Sequence, residues 1–184
     1  YDQLLEGLEF MGEEYEKLVE ILTVATDDNF ILDSSRSYFD CTNYYFEIDK
    51  DSTLQKRGPS KENRRDPIVE MGLLLDAQML PVGMKIFPGN ESEKPVMRDL
   101  IHDLKSRNNI KGRTIQIADK GLNCAKNSIE AIDNGDGYLF SKSVKTLPER
   151  ERQWVLLDDG FETVFDQNGE PVYKIKECID TFTY

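Results

Sequence analysis

The sequence predicts a mixed α/β fold: three antiparallel strands, then strand–helix units, forming one sheet with helices on its faces. Three observations carry this reading. Arg36 to Glu47, RSYFDCTNYYFE, is crowded with aromatic and β-branched residues that suit a pleated, half-buried surface. Residues 68–87 hold two extended apolar runs separated by a turn signal. After them, short strand patterns at 113–119 and 137–144 alternate with apolar residues at helical spacing.

Composition bounds the rest. A chain of 184 residues, 39% hydrophobic and 32% charged, is the size of one domain, with an appendage at most, and can bury a core. No apolar run approaches the ~20 residues that span a bilayer, so no membrane role is expected. There is no basic-then-apolar leader, and the chain starts at Tyr1 inside a helical pattern, so it is expected to be part of something longer. Cys41, Cys124 and Cys178 stand far apart with no CxxC, which excludes a disulfide framework or zinc cluster and suits a reducing cytoplasm. A single histidine, His102, falls on a predicted helix as a surface residue, so any chemistry must be carried by carboxylates. The net charge is −12, but residues 56–145 carry 16 basic and 12 acidic side chains, whereas residues 1–55 carry 3 and 14. The middle of the chain is its basic part.

Taken in order, Leu4, Leu8, Met11, Tyr15, Leu18 and Leu22 mark one amphipathic helix over 1–28 that packs on the domain and shows acid to solvent. In the strand that follows, Tyr38, Asp40, Thr42, Tyr44 and Phe46 share one face, and Phe39, Cys41, Asn43 and Tyr45 the other. Asp40 is the misfit: a carboxylate among aromatics is expected to be paired, metal-bound or shifted in pKa. A loop of about twenty residues comes next, long enough to be functional rather than a plain connection. It holds Lys56, Arg57, Lys61, Arg64 and Arg65, a candidate phosphate-gripping arm. The hairpin of 68–87 turns at Asp76 to Met79. Ser92 caps a helix that runs to about Ser106, with Pro95 tolerated in its first turn. The strand RTIQIAD ends at Asp119, before Lys120-Gly121. Leu122, Ala125, Ile129 and Ile132 form the apolar face of the next helix, with Asn123 as a cap and Asn134-Gly135 as its stop. GYLFSKSV is one more strand. Beyond 145, WVLLDDG, FETVFDQNGEPVYKIKE and IDTFTY read as consecutive antiparallel strands, with Asn168-Gly169 as a hairpin turn.

If the Asp40 and Asp119 strands are neighbours, two hard oxygen ligands converge on one point, a donor set that suits Mg²⁺ or Mn²⁺. A cation there relieves the repulsion between the two carboxylates. The strings YFDCTNYYFE, RGPSKENRRDPIVEMGLLLDAQMLPVGMKIFPGN, IADKGL and GYLFSKSVK, together covering about 36–145, resemble the ribonuclease-H-like core of DDE transposases of the insertion-sequence type-four superfamily. The resemblance implies a ribonuclease-H-like core over 29–145 and a β-rich insertion segment from 146 to 184. It implies that Asp40 and Asp119 are catalytic, metal-holding acids using Mg²⁺ or Mn²⁺, and that Lys56, Arg57, Lys61, Arg64, Arg65 and Lys120 contact DNA. It further implies DNA transposition by metal-dependent phosphodiester hydrolysis and strand transfer. The partners would be transposon ends and target DNA, with a homodimer in the full-length protein and a cytoplasmic, nucleoid-associated location. The family's third acid, a Glu on a helix after the insertion, has no counterpart in 145–184, so this chain on its own is expected to be inactive. Two other readings compete. Asp40-Cys41-Thr42 partly matches the nucleophile motif of haloacid-dehalogenase-type aspartyl phosphatases, but Cys stands where that family has a second Asp. A non-catalytic DNA-binding or interaction module derived from a transposase is the other.

Overall fold

The computed structural model describes residues 1–59, 65–108 and 112–178. They form two compact units, 1–141 and 142–184. The division falls four residues before the expected one, and the N-terminal helices belong with the sheet.

The first unit is built on a five-stranded sheet of β1 (Arg36–Tyr45), β2 (Ile68–Leu75), β3 (Pro81–Pro88), β4 (Ile115–Ala118) and β5 (Gly137–Phe140). Its spatial order is β3-β2-β1-β4-β5. β1, β2 and β3 pair antiparallel, while β4 pairs parallel to both β1 and β5. This is the mixed sheet that the strand pattern predicts. Phe39 and Cys41 of β1 are buried on the core face, and Asp40 and Thr42 lie exposed on the other, as the period of two requires. The core packs that face against α3 (Glu93–Arg107), whose Val96, Met97, Leu100, Ile101 and Leu104 are all buried. Burying each such side chain is worth roughly 1.5–3 kcal/mol. Ser92 accepts the N–H of Lys94 and caps this helix as expected.

Four expectations are corrected. The single N-terminal helix is two, α1 (Asp2–Glu13) and α2 (Tyr15–Asn29), with the break at Glu14 just after Gly12, a weak helix former. Neither buries a residue fully, and Leu22 points outward; the half-buried positions of α2 are Tyr15, Leu18, Val19, Thr23, Thr26 and Asp27. α2 serves instead to cover the edge strand β3. The Tyr15 hydroxyl accepts the N–H of Ile86, and Arg107 donates to the Val82 carbonyl while pairing with Asp27 at 2.6 Å. In α4 (Ala125–Asp133) the inward residues are Asn127, Ser128 and Ala131; Ile129 and Ile132 are exposed. Arg98 of α3 explains the polar choice, since it bonds Asn127 and meets Glu130 at 3.2 Å. Asn123 does not cap α4; its amide donates to the Ser141 carbonyl.

The fourth correction lies in the second unit. Residues 154–156, the start of the WVLLDDG run expected as strand, are instead the end of α5 (Glu149–Leu156). Glu, Arg, Gln and Leu are good helix formers, and Glu149 in the first turn suits the helix dipole. The hairpin of β6 (Glu162–Phe165) and β7 (Pro171–Ile175) turns at Asn168-Gly169, where Gly169 has φ of 83°. Lys176 holds this unit together: its Nζ lies 4.8 Å over Trp154 and 4.9 Å over Phe161 and donates to two carbonyls at the end of α5. IDTFTY lies outside the described residues. Among the described residues no helix is long and apolar enough to cross a membrane.

Candidate active site

β1 and β4 run parallel in a register that pairs Arg36 with Ile115 and ends with Phe39 beside Ala118. Asp40 and Asp119 are the residues that follow this last pair. The chain leaves β1 toward β2 on one side and β4 toward β5 on the other. The carboxyl ends of these two strands therefore form the switch point of the sheet, the crevice where open α/β sheets bind ligands.

Both aspartates are exposed, which corrects the expectation that Asp40 is buried among aromatics. The face of β1 that carries Asp40 is open along its length: Arg36, Thr42 and Tyr44 on the same face are exposed as well. Each carboxylate is held by the backbone that follows it. Asp40 Oδ1 accepts the N–H of Cys41 at 2.8 Å. Asp119 Oδ1 accepts the N–H of Gly121 at 2.8 Å and that of Leu122 at 3.4 Å. A strand N–H lies in the plane of the sheet, so the bond from Cys41 draws the Asp40 carboxylate toward that plane. Exposed carboxylate oxygens are the donors that a hard divalent cation takes, so the chemistry of the two residues fits Mg²⁺ or Mn²⁺.

A second set of ligand-type side chains lies on the core face of the same strand end. The ligand atoms of Cys41, Glu70 and Glu93 all fall within 4.8 Å of one another. Cys41 and Glu70 are buried and Glu93, in the first turn of α3, is half-buried. The sequence reading passed over both glutamates. The hint for Glu93 was its place next to the Ser92 cap; Glu70 was hidden in an otherwise apolar run.

The basic residues divide. Arg57 is committed within its own loop: it pairs with Asp51 and donates to the carbonyls of Asp49 at 2.9 Å and Arg65 at 3.1 Å. Lys56 forms a two-way backbone bridge with Ile68 at the start of β2. This loop is pressed onto the end of β3, because a Cβ on Gly58 would sit 1.7 Å from the Gly89 carbonyl oxygen. The loop's root is thereby fixed beside the turn that leads into Ser92 and Glu93. Arg65 and Lys120 are exposed, Lys120 next to Asp119. Lys61 and Arg64 lie outside the described residues. His102 is an exposed residue of α3, as expected. All three cysteines are free thiols. The strand after Asp40 returns as an antiparallel neighbour, whereas the phosphatase reading requires a helical crossover there.

No family model matches this sequence, and no curated protein matches it. Among solved structures the chain is similar to a Mos1 transposase paired-end complex with the left transposon end, with 15% identity and a TM-score of 0.39, over 66% of this chain and 39% of that one. It is similar to the piggyBac transposase in a synaptic complex with hairpin DNA, with 8% identity and a TM-score of 0.42, over 83% of this chain and 35% of that one. A Mos1 mariner paired-end complex with Mn gives 15% identity and a TM-score of 0.41, over 73% and 43%. The matched part of each of these chains is less than half its length.

Proposed function

We propose that this chain is a catalytic core of the DDE transposase type, acting on DNA through metal-dependent phosphodiester hydrolysis and strand transfer, and allied to the insertion-sequence type-four superfamily by the strings quoted above. The observation that supports the reading is the parallel register of β1 and β4, which ends with Phe39 beside Ala118, the residues just before Asp40 and Asp119. Asp40 and Asp119 would hold the divalent ion, Mg²⁺ or Mn²⁺. When bound, such an ion supplies Lewis-acid and charge-neutralising chemistry for in-line phosphoryl transfer.

The chain's own groups prepare that site. The Cys41 N–H fixes one oxygen of Asp40, and the Gly121 and Leu122 N–H groups fix one oxygen of Asp119. Arg57 braces the basic loop, leaving Arg65 and Lys120 exposed to take phosphates of the DNA backbone, a contact that positions without reading sequence. Lys61 and Arg64 belong to the same proposed arm. Transposon ends and target DNA are the proposed partners, with a homodimer as the working assembly and the nucleoid as the place of action.

The test is cleavage of DNA carrying the parent element's ends, in Mg²⁺ and in Mn²⁺, by the protein that contains this chain. Asp40→Asn and Asp119→Asn should each reduce cleavage to background. Undiminished cleavage in either variant overturns the reading.

A further inference from the structure

We infer that α1, with the groove it leads into beside α2, is a docking surface for a basic amphipathic helix of a partner protein. Such a role is additional to the proposed catalysis. On the helical period, Leu4, Leu5, Leu8 and Met11 fall within an arc of about 120°, and Asp2, Glu6, Glu9 and Glu13 fall on the other side. An apolar stripe of this kind ordinarily lies against a core. Here every residue from Tyr1 to Glu13 is exposed, and Leu4 keeps 67% and Leu8 54% of its surface open. A Cβ on Gly7 or Gly12 would meet nothing within 4 Å. The helix also has little to hold it by itself. It is 12 residues long, contains Gly7 and Gly12, has no side-chain cap and carries no base in its last turn.

Charge decides what can cover this face. Residues 1–16 hold six acids, Asp2, Glu6, Glu9, Glu13, Glu14 and Glu16, and no Lys or Arg. The acidic character continues where α1 meets α2. Glu13, Glu14, Glu16 and Glu20 line a depression of about 700 Å³, and Lys17, the one base in its lining, pairs with Glu14 at 3.8 Å. Beyond it, a groove of about 410 Å³ between α2 and α3 is lined by Val19, Val82, Met84 and Leu100, with the exposed acids Glu16, Glu20 and Asp103 beside them. Arg107, the basic residue there, is spent on Asp27 and the Val82 carbonyl. A second copy does not suit this face, because its α1 would bring the same acids within the ~8 Å over which charges act at physiological salt. Among the described α-helices only α3 has more bases than acids, and its apolar face lies in the core. A bilayer rich in anionic lipids is repelled for the same reason. A partner helix with an apolar stripe flanked by Lys or Arg meets both features. It covers Leu4, Leu8 and Met11 and sets its cations against Glu9, Glu13 and the acids that follow.

Fluorescence anisotropy and amide exchange of the 184-residue chain test this with a synthetic Leu/Lys amphipathic helix of about fourteen residues, against a Leu/Glu helix of the same apolar pattern. The Leu/Lys peptide should bind and slow exchange of the α1 amides; the Leu/Glu peptide should do neither. Leu4→Ala with Leu8→Ala, which keeps helix propensity and alters only exposed side chains, should weaken binding by about tenfold or more. Glu13→Gln with Glu16→Gln and Glu20→Gln should weaken it and flatten its salt dependence. Asp158→Asn with Asp159→Asn, exposed acids of the second unit, should bind as the unaltered chain does. Failure of the Leu/Lys peptide to bind, or binding that slows no α1 amide, overturns the inference. So does equal weakening by the second-unit pair, or none by the leucine pair, since either shows attraction to bulk negative charge. A dimer of the unaltered chain that the leucine pair turns into monomer would give the face to a second copy. Leucine-dependent binding to phosphatidylcholine vesicles would give it to a lipid surface, and either result ends the inference.

Discussion

At the scale of single residues, the acids sort by what their backbone surroundings do with them. Asp76, 2% exposed, accepts N–H groups of Gln78 and Leu80 at 2.9 Å and of Asp33 at 3.0 Å, and so closes the turn between β2 and β3. Asp136, whose side chain is fully buried, pairs with Lys105 of α3 and accepts from the Thr114 N–H and the Gln116 amide, each at 3.0 Å. Both are structural acids. Asp40 and Asp119 are exposed instead, and each accepts backbone N–H groups of the residues that follow it. Asp136→Ala leaves Lys105 and two buried donors without their acceptor and should cost about 3 kcal/mol, read from urea unfolding. Asp119→Asn should cost less than about 1 kcal/mol in the same measurement, since an exposed amide oxygen can accept the same bonds.

At the scale of elements, α2 and the second-unit hairpin each make a test. Without α2, β3 would present an open edge; Tyr15 satisfies the Ile86 N–H there, and partial burial raises the tyrosine's pKa above its ordinary value. Tyr15→Phe should destabilise by roughly 1 kcal/mol and speed exchange of the Ile86 amide. In the β6–β7 turn, Asp166 accepts the N–H of Glu170 and then that of Asn168, and these bonds hold its carboxyl below the usual carboxylate range. A depressed folded value means stability that is present above the ordinary carboxylate pKa near 3.8 and lost as pH falls through the lower one. Amide exchange at Glu170 and Gly169 should therefore accelerate only in strongly acidic solution, and Asp166→Asn should abolish that acid dependence.

At the scale of the whole molecule, a net charge of −12 opposes the basic middle in any encounter with DNA. Non-specific binding by this chain should be weak, at or beyond about 10⁻⁴ M near physiological salt, and should fade quickly as salt rises. Replacing Arg65 and Lys120 by Gln should reduce the slope of log affinity against log salt by up to about two, as befits two phosphate contacts. Arg57→Gln should act differently. Its donors are spent on Asp51 and on two carbonyls of its own loop, so its loss should loosen the loop's amide exchange more than it changes the slope. Equal slope changes from both variants would give Arg57 the same direct role as Arg65 and Lys120.

Local rules made much of the fold legible before any coordinates. The period of two in β1, the Ser92 cap, the turn at Asp76 to Met79 and the Asn168-Gly169 hairpin all follow from neighbours a few residues apart, and all are present. Burial was not local. Asp40 looked like a buried misfit because its sequence neighbours are aromatic, yet it lies on the face of β1 that the fold leaves open. The start of WVLLDDG, residues 154–156, reads as strand but closes a helix, because a short apolar run fits either period and only its flanks decide. The two aspartates could be named from the sequence; that Phe39 and Ala118, the residues before them, are paired could not, since strand register is set by sheet pairing and packing across the core. Glu93 shows the same limit most plainly. As sequence it is one more acid after a cap, and only the fold sets its carboxylate within 4.8 Å of the Cys41 thiol and the Glu70 carboxylate.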